Sequence, residues 1–325
     1  MSPLRTGVAA QLGVGEETTY GTPVTPNRFF EFVSESLKLD LERLESRGLR
    51  AGTRVLRSDR WRTGRRSVSG DIELEVNSKS QGLLWKHMLG SIATTTPSGA
   101  TNTRDHTATP GDLPVGLTVQ VGRPDVGGTV RPFTYHGCKI ATWALRASVG
   151  EIGLLRLGVV GEDEDTATSL ASASYASGDE LMTFVEGSLS IASSTVDVRE
   201  VEITGDNMLA ADRHRLGSGL IREPVEADMR RYGGRIVAFF PDLTAYNRFV
   251  TGTEASLELL FQGSQIEAGF NYETKVTMNV RFDGETPNVS GPDELDQPLP
   301  FVAVDSGSGP ASAITVVYRT DDTTP

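Results

Sequence analysis

Residues 71–76 read Asp71-Ile72-Glu73-Leu74-Glu75-Val76, acidic and apolar side chains in strict alternation. A period of two is that of a β-strand with one face buried and the other wet. Ile72, Leu74 and Val76 are therefore expected in a core. Asp71, Glu73 and Glu75 form an acidic row on the outer face, read as a solvent-facing strand surface rather than a catalytic pair or a cation site. Upstream, Leu37, Leu39 and Leu41 alternate with Ser36, Lys38, Asp40 and Glu42 in a strand predicted from Phe29 to Leu44. Its phase then slips, because the next apolar residue is Leu44 rather than Arg43, as a β-bulge would produce. Downstream, residues 80–89 have helical spacing, with Leu83, Leu84, His87 and Met88 on one face and Gly90 as cap. Further strands are expected at Leu117–Val121, Phe133–Val149 and Glu151–Val160. In the second of these Ala141, Trp143, Leu145 and Ala147 alternate with Thr142, Ala144, Arg146 and Ser148.

Between these elements lie segments of different composition. Residues 1–28, punctuated by Gly13, Gly15, Gly21, Pro23 and Pro26, read as an arm. Residues 46–69 form a long polar stretch carrying Arg47, Arg50, Arg54, Arg57, Arg60, Trp61, Arg62, Arg65 and Arg66. Residues 91–114, rich in Thr, Pro and Gly, read as a loop. Residues 161–179, which include Glu162, Asp163, Glu164 and Asp165, read as a solvated acidic linker. A second break is expected over 284–300, and the tail from Thr320 is expected to be mobile.

After the linker the order of elements returns. Asp197-Val198-Arg199-Glu200-Val201-Glu202 matches Asp40-Leu41-Glu42-Arg43-Leu44-Glu45 at an offset of 157 residues, phase slip included. A second Arg-containing segment follows, with Arg213, Arg215, Arg222, Arg230 and Arg231. Strands are then expected at Arg235–Phe240, Ala255–Leu260, Lys275–Phe282 and Ala313–Tyr318, with a short helix over 242–250. The chain is thus read as mainly β and internally duplicated, with one domain over 1–165 and another over 178–325.

Composition narrows the function. The 325 residues carry a net charge of −12 and a pI near 4.9, so coating DNA is not the main task, although an acidic wall can surround DNA without gripping it. One cysteine, Cys138, excludes a disulfide within the chain, which suits a reducing compartment. Neither a signal-peptide core nor an apolar run of spanning length is present, so the chain is expected to be made in the cytosol with no membrane partner. His87, His106, His136 and His214 have no metal-ligand spacing, and Cys138 has no Cys-x-x-Cys partner. No nucleophile elbow or phosphate-cradling loop occurs. Cys138, entering a strand, reads as a buried apolar thiol. The expectation is an assembly protein, with no catalytic residues, metal or cofactor.

Several segments, in this order, resemble the major tail tube proteins of siphophages, the long-tailed bacteriophages. They are Gly15-Glu16-Glu17-Thr18-Thr19-Tyr20-Gly21-Thr22-Pro23 leading into Phe29-Phe30-Glu31-Phe32, then Ser34-Glu35-Ser36-Leu37-Lys38 running into the Arg-rich stretch and Ser69-Gly70-Asp71-Ile72-Glu73. Last comes Tyr135-His136-Gly137-Cys138-Lys139-Ile140 with Trp143. The likeness is best over residues 10–160. It implies a tail-tube-type β-sandwich or barrel with a short flanking helix. It also implies a structural virion protein, assembled in the host cytoplasm, whose rings stack into a hollow tail tube for DNA ejection. Implied partners are copies of itself, the tape measure protein, the tail terminator and baseplate proteins, with DNA in transit.

Within that resemblance the acidic row Asp71, Glu73 and Glu75, with Glu42 nearby, is a candidate lumen face; the outer wall and a subunit seam are the alternatives. The Arg-rich stretch is either a solvated loop or an inter-ring stacking loop, since Arg pairs with carboxylates and stacks on aromatics. Arg213, Arg215 and Arg222 mark a second such loop. Two tube domains per chain make a trimer of pseudo-sixfold symmetry the preferred ring; a hexamer follows if the second half is an outward decoration. Competing readings are another tail component of related fold (a tail terminator, a baseplate hub or a secretion-type tube) and a β-rich carbohydrate-binding or hydrolytic protein, which would need a polar, aromatic cleft.

Overall fold

The computed structural model describes residues 6–239, 243–284 and 296–325. The first half contributes β1 (Gln11–Glu17), β2 (Arg28–Phe30), β3 (Ser34–Glu35), β4 (Lys38–Glu45), β5 (Trp61–Glu75), α1 (Gly82–Leu89), β6 (Gly90–Thr95), β7 (Arg104–Pro110), β8 (Gly116–Pro124), β9 (Val130–Ser148), β10 (Leu154–Gly161) and β11 (Asp163–Asp165). The second contributes β12 (Gly187–Ile191), β13 (Ser194–Thr195), β14 (Val198–Asp206), β15 (Leu209–Ala210), β16 (Val225–Glu226), β17 (Arg231–Phe239), α2 (Thr244–Thr251), β18 (Ala255–Glu267), β19 (Phe270–Phe282), β20 (Asp296–Ala303) and β21 (Ile314–Thr320). The protein is mainly β, as expected, and its strand ladders are antiparallel.

Pairing follows one scheme twice. In the first half the order is β4–β5–β10–β9, and in the second β14–β17–β20–β19. β9 also pairs with β8 and β11, β8 with β1; β19 pairs with β18 and β21, β18 with β12. Each half places one eight-residue helix after the second strand of its order, and each helix ends on a glycine of positive φ, Gly90 (108°) and Gly252 (66°). A side chain in that conformation would clash with its own backbone, so glycine caps both. The halves join edge to edge: β9 pairs with β14 over Thr142–Ser148, and β7 pairs with β21. Six strands from β5 to β20 therefore make one continuous sheet.

One buried cluster lies beneath that sheet and takes in both halves. Ile72, Leu74, Trp143, Leu145, Leu155, Ile203, Ile236 and Leu299 all face it, so the alternation read in β5 and β9 holds. At the seam Trp143 meets Trp85 of α1 edge-on at 5.9 Å and Tyr232 of β17 at 6.2 Å. Gly205 lies directly beneath the Trp143 ring: a Cβ there would come within 2.2 Å of the indole. Burying this much aromatic surface at the junction ties the halves into one unit.

Both hairpins carry a bulge, but on different strands: in the first, Gly64 and Arg65 of β5 stand against Glu42 of β4, whereas in the second the extra residue, Arg199, lies on β14 itself. They also stand at different heights: β14 bulges opposite Val237 and Ala238, close to α2, whereas β5 bulges between Thr63 and Arg66, well ahead of α1. The bulge expected in β4 therefore lies on its partner strand, and the 157-residue offset matches neither bulge to bulge nor hairpin to hairpin.

Six further expectations are corrected. Residues 11–17 are not an arm but a strand between β8 and β2; Gly13 is there because the Phe29 ring would lie 2.8 Å from a Cβ, so this glycine marks close packing. The polar stretch 46–69 is a loop only to Arg60; Trp61–Ser69 pairs with β4 through backbone bonds that need no apolar alternation. Residues 91–114 contain the β6–β7 hairpin, whose second strand holds β21. The acidic run is no solvated linker: Asp163–Asp165 pairs with β9, and Glu162 lies beside His136 at 3.6 Å, its carboxyl raised by burial. The tail is tethered, with Thr320 buried, Asp321 bound to Lys79 at 2.9 Å and Asp322 accepting from the Ser80 amide at 2.6 Å. Of the break expected over 284–300, residues 285–295 lie outside the described residues, and 296–300 are not a break but the first part of β20, paired with β17.

Candidate functional site

The outer face of the six-strand sheet is built by strand register. One row reads Asp71, Gly158, Thr142, Asp206, Arg231 from β5 to β17; the next reads Glu73, Arg156, Ala144, Thr204, Gly233, Val302; the third reads Glu75, Leu154, Arg146, Glu202, Arg235, Pro300. Glu200 stands in a fourth row beside Ser148 and Val237. Six carboxylates thus share the face with four guanidinium groups, and it crosses from one half to the other without interruption.

The guanidinium groups are held by the acids. Arg156 donates to Asp71 at 2.7 Å, and Arg146 and Arg235 approach Glu200 at 3.2 and 3.5 Å. Arg231 reaches Asp228 at 3.4 Å. Exposed pairs of this kind add about 0–1 kcal/mol each, so their effect is on surface potential rather than on stability. Glu42 lies further along the hairpin and is gripped by Arg65 at 2.9 and 3.2 Å; those hydrogen bonds hold its carboxyl below the usual 4.5. The acidic row is therefore half of a mixed-charge surface. Arg146 was visible in the polar phase of β9, but Arg156, Arg235 and Glu200 came to the row only through register across distant strands.

A cleft of about 1060 Å³ opens at one end of this face. Residues lining it include Asp112, Asp206, Glu226, Arg230 and Asp305. Arg230 is committed to Glu226 and to the backbone carbonyls of Leu89 and Gly111. Among the described residues, no group of three or more His, Cys, Asp or Glu is placed to hold a metal ion. Cys138 is fully buried, and burial pushes its thiol well above the ordinary value, which makes it a poor nucleophile.

The second surface is the β4–β5 hairpin. Towards its tip Leu44, Leu49, Val55, Leu56 and Trp61 are exposed beside Arg47, Arg50, Arg54 and Arg60. Arg57 pairs with Asp59 at 2.8 Å, Arg43 stacks over Trp61 at 4.9 Å, and Arg62 turns back to the Trp61 carbonyl at 2.8 Å. At the hairpin's base Arg66 pairs with Asp163 at 2.6 Å. β4 is hydrogen-bonded to β5 on one side; among the described residues its other edge carries no ladder. An open edge with exposed apolar residues is a template for another chain.

Arg213, Arg215 and Arg222 belong to residues 207–230, which join β14 to β17. Arg213 donates to the Glu223 carbonyl at 2.6 Å and its own carbonyl accepts from the Arg222 amide at 3.1 Å, while Arg215 bridges to Ser218. These arginines organise their own loop. The side chains that dock it include Arg230, already part of the Arg-containing segment, and Asn207, which no sequence pattern marks. Among the described residues, no helix is long and apolar enough to cross a membrane.

Comparison with curated proteins gives no match. The sequence family described as phage tail tube protein matches residues 7–303, nearly the whole chain and both strand orders. The β-rich body agrees with that match, and the chain belongs to the phage tail tube protein family.

Proposed function

We propose that this structural protein of the bacteriophage tail closes into rings of three that stack into a hollow tube, and that the six-strand face lines the bore through which genome DNA leaves. The observation that carries the reading is the twice-used strand order. Within the chain, the edge of β14 is taken by β9; β4, which holds the same place in the first order, is open. A chain built of two tube domains, 1–165 and 178–325, offers one such seam inside and leaves its like for the next copy. Three chains then give six domains round the wall. The second half extends the first half's sheet instead of hanging from it, which favours three chains over six.

The face suits a conduit. Its arginines are neutralised by Asp71, Glu200 and Asp228, and the carboxylates in excess repel phosphate, so a polyanion slides rather than binds. The tape measure protein would fill the same bore before DNA, with terminator and baseplate proteins at the ends. Assembly in the host cytoplasm fits the single buried Cys138. The siphophage type rests on the resemblance over residues 10–160. Negative-stain microscopy of the purified protein at rising concentration tests this: hollow tubes with three-fold top views are expected. A protein that stays monomeric at every concentration would sink it.

A further inference from the structure

Two loops occupy the same place in the two strand orders, and only one of them is docked. Residues 207–230 are folded down onto the first half. Asn207, fully buried, donates to the carbonyls of Met88 at 3.1 Å and Ile140 at 2.9 Å. Arg230 donates to the carbonyls of Leu89 at 2.6 Å and Gly111 at 2.5 Å. Lys139 binds Glu223 at 2.7 Å, and the Arg66 amide donates to the Gly219 carbonyl at 2.8 Å. Every one of these contacts crosses between the halves. Residues 46–60, by contrast, stand in solvent, with Leu49 and Val55 at 102% and 79% exposure.

The helices under these loops differ in the same sense. In α1, on which 207–230 rests, Leu83, Leu84, Trp85, His87, Met88 and Leu89 are all buried. In α2, of equal length and with the same kind of glycine cap, Val250 is 60% exposed and the preceding Leu243 57%. Exposed apolar side chains on one helix and an undocked loop are thus both left over in one chain.

We infer that the 46–60 loop is a lateral clasp: in the ring it folds onto the α2 end of the adjacent copy, as 207–230 folds onto the α1 end within the chain. This rests on the ring-forming reading above, and its occupant is a second copy. Leu49, Val55 and Leu56 would cover Val250 and Leu243, removing both apolar patches from water. The loop's arginines would reach the carbonyl end of α2, where the helix dipole favours cations, as Arg230 reaches the carbonyl end of α1. Glu254, exposed just past that end, adds a carboxylate. The open edge of β4 leads straight into this loop, so edge and clasp form one seam, as the β14 edge and 207–230 do. The arginine-rich loop then acts round the ring rather than between rings.

Cross-linking separates the two directions. In assembled protein carrying Leu49→Cys and Val250→Cys, mild oxidation with copper–phenanthroline should give covalent oligomers that stop at the ring number seen in top views; Cys138 is buried and does not compete. A ladder running past that number overturns the clasp, because the loop then links successive rings. Tubes that form normally but yield no cross-link overturn it as well. Deleting residues 48–58, with circular dichroism to verify the fold, should leave monomers in sedimentation; closed rings that fail to stack would refute it. In both experiments tubes of the unmodified protein remain, so the clasp can fail while the ring-forming reading stands.

Discussion

Gly205→Ala tests whether the two halves share a core. The new Cβ would lie 2.2 Å from Nε1 and Cε2 of Trp143. Carbon contacts settle at 3.5–4.0 Å, so the indole or strand β14 must move by about 1.3 Å. Trp143 has little room, since Trp85 and Tyr232 pack against it at 5.9 and 6.2 Å. Overpacking of this kind costs about 3 kcal/mol at the upper end of its usual range, and the smaller unfolded-state entropy of alanine offsets up to about 1. A net loss of about 2 kcal/mol, over an unfolding entropy near 2.1 cal/mol/K per residue, lowers Tm by about 3 °C. Differential scanning calorimetry measures it, and a single transition for both halves is expected. Trp143→Phe removes the atoms that clash, so the double variant should lose less than the sum of the two single losses. Strict additivity, or an unchanged Tm for Gly205→Ala, would refute the packing argument.

Acid should loosen β1 from α1. His87, whose Nε2 lies 3.4 Å from the Glu16 carboxylate, and then the hydrogen bond from Lys86 hold that carboxyl down at about 2, from 4.5. A depressed carboxyl contributes stability that is complete above 4.5 and lost as pH falls towards 2. His87 is buried with its proton affinity lowered from 6.5, so it too costs stability as pH falls below that value. Thermal melts from pH 7 to pH 2 should therefore fall more steeply for the native chain than for Glu16→Gln, and parallel curves would contradict the assignment. On the outer face, Asp71→Asn and Glu200→Gln together release Arg156, Arg146 and Arg235. Fluorescence anisotropy with a duplex oligonucleotide at low salt should detect at least about tenfold tighter binding that vanishes as salt rises; no gain over the native chain would show that the carboxylates do not mask those arginines.

How far the site could be read in advance depended on the range of the interaction. Asp71 to Val76 carries its own phase, so the buried and wet faces of β5 were legible from six residues. The same holds for Trp143 and Leu145 in β9, and for the α1 face with its glycine cap. The N-terminal strand was missed because Gly13 and Gly15 look like loop residues, although the Phe29 ring is what requires Gly13. The first residues of β5 were missed because a hairpin in solvent has no buried side to impose alternation. The acidic row was seen without its arginines.

Sequence alone determined part of the local geometry: the alternating strands with one buried face, the glycine-capped helix α1, and that both halves use the same kinds of element in order. Those are properties of neighbouring residues, set by sterics and by a period of two. Tertiary structure decided that Arg156 faces Asp71, that β14 closes on β9, and that one arginine-rich loop is docked while the other is free. Such pairings join residues tens to hundreds of positions apart, and one residue of register moves a side chain to the opposite face. No local signal carries that choice; it is made only when the shared core around Trp143 packs.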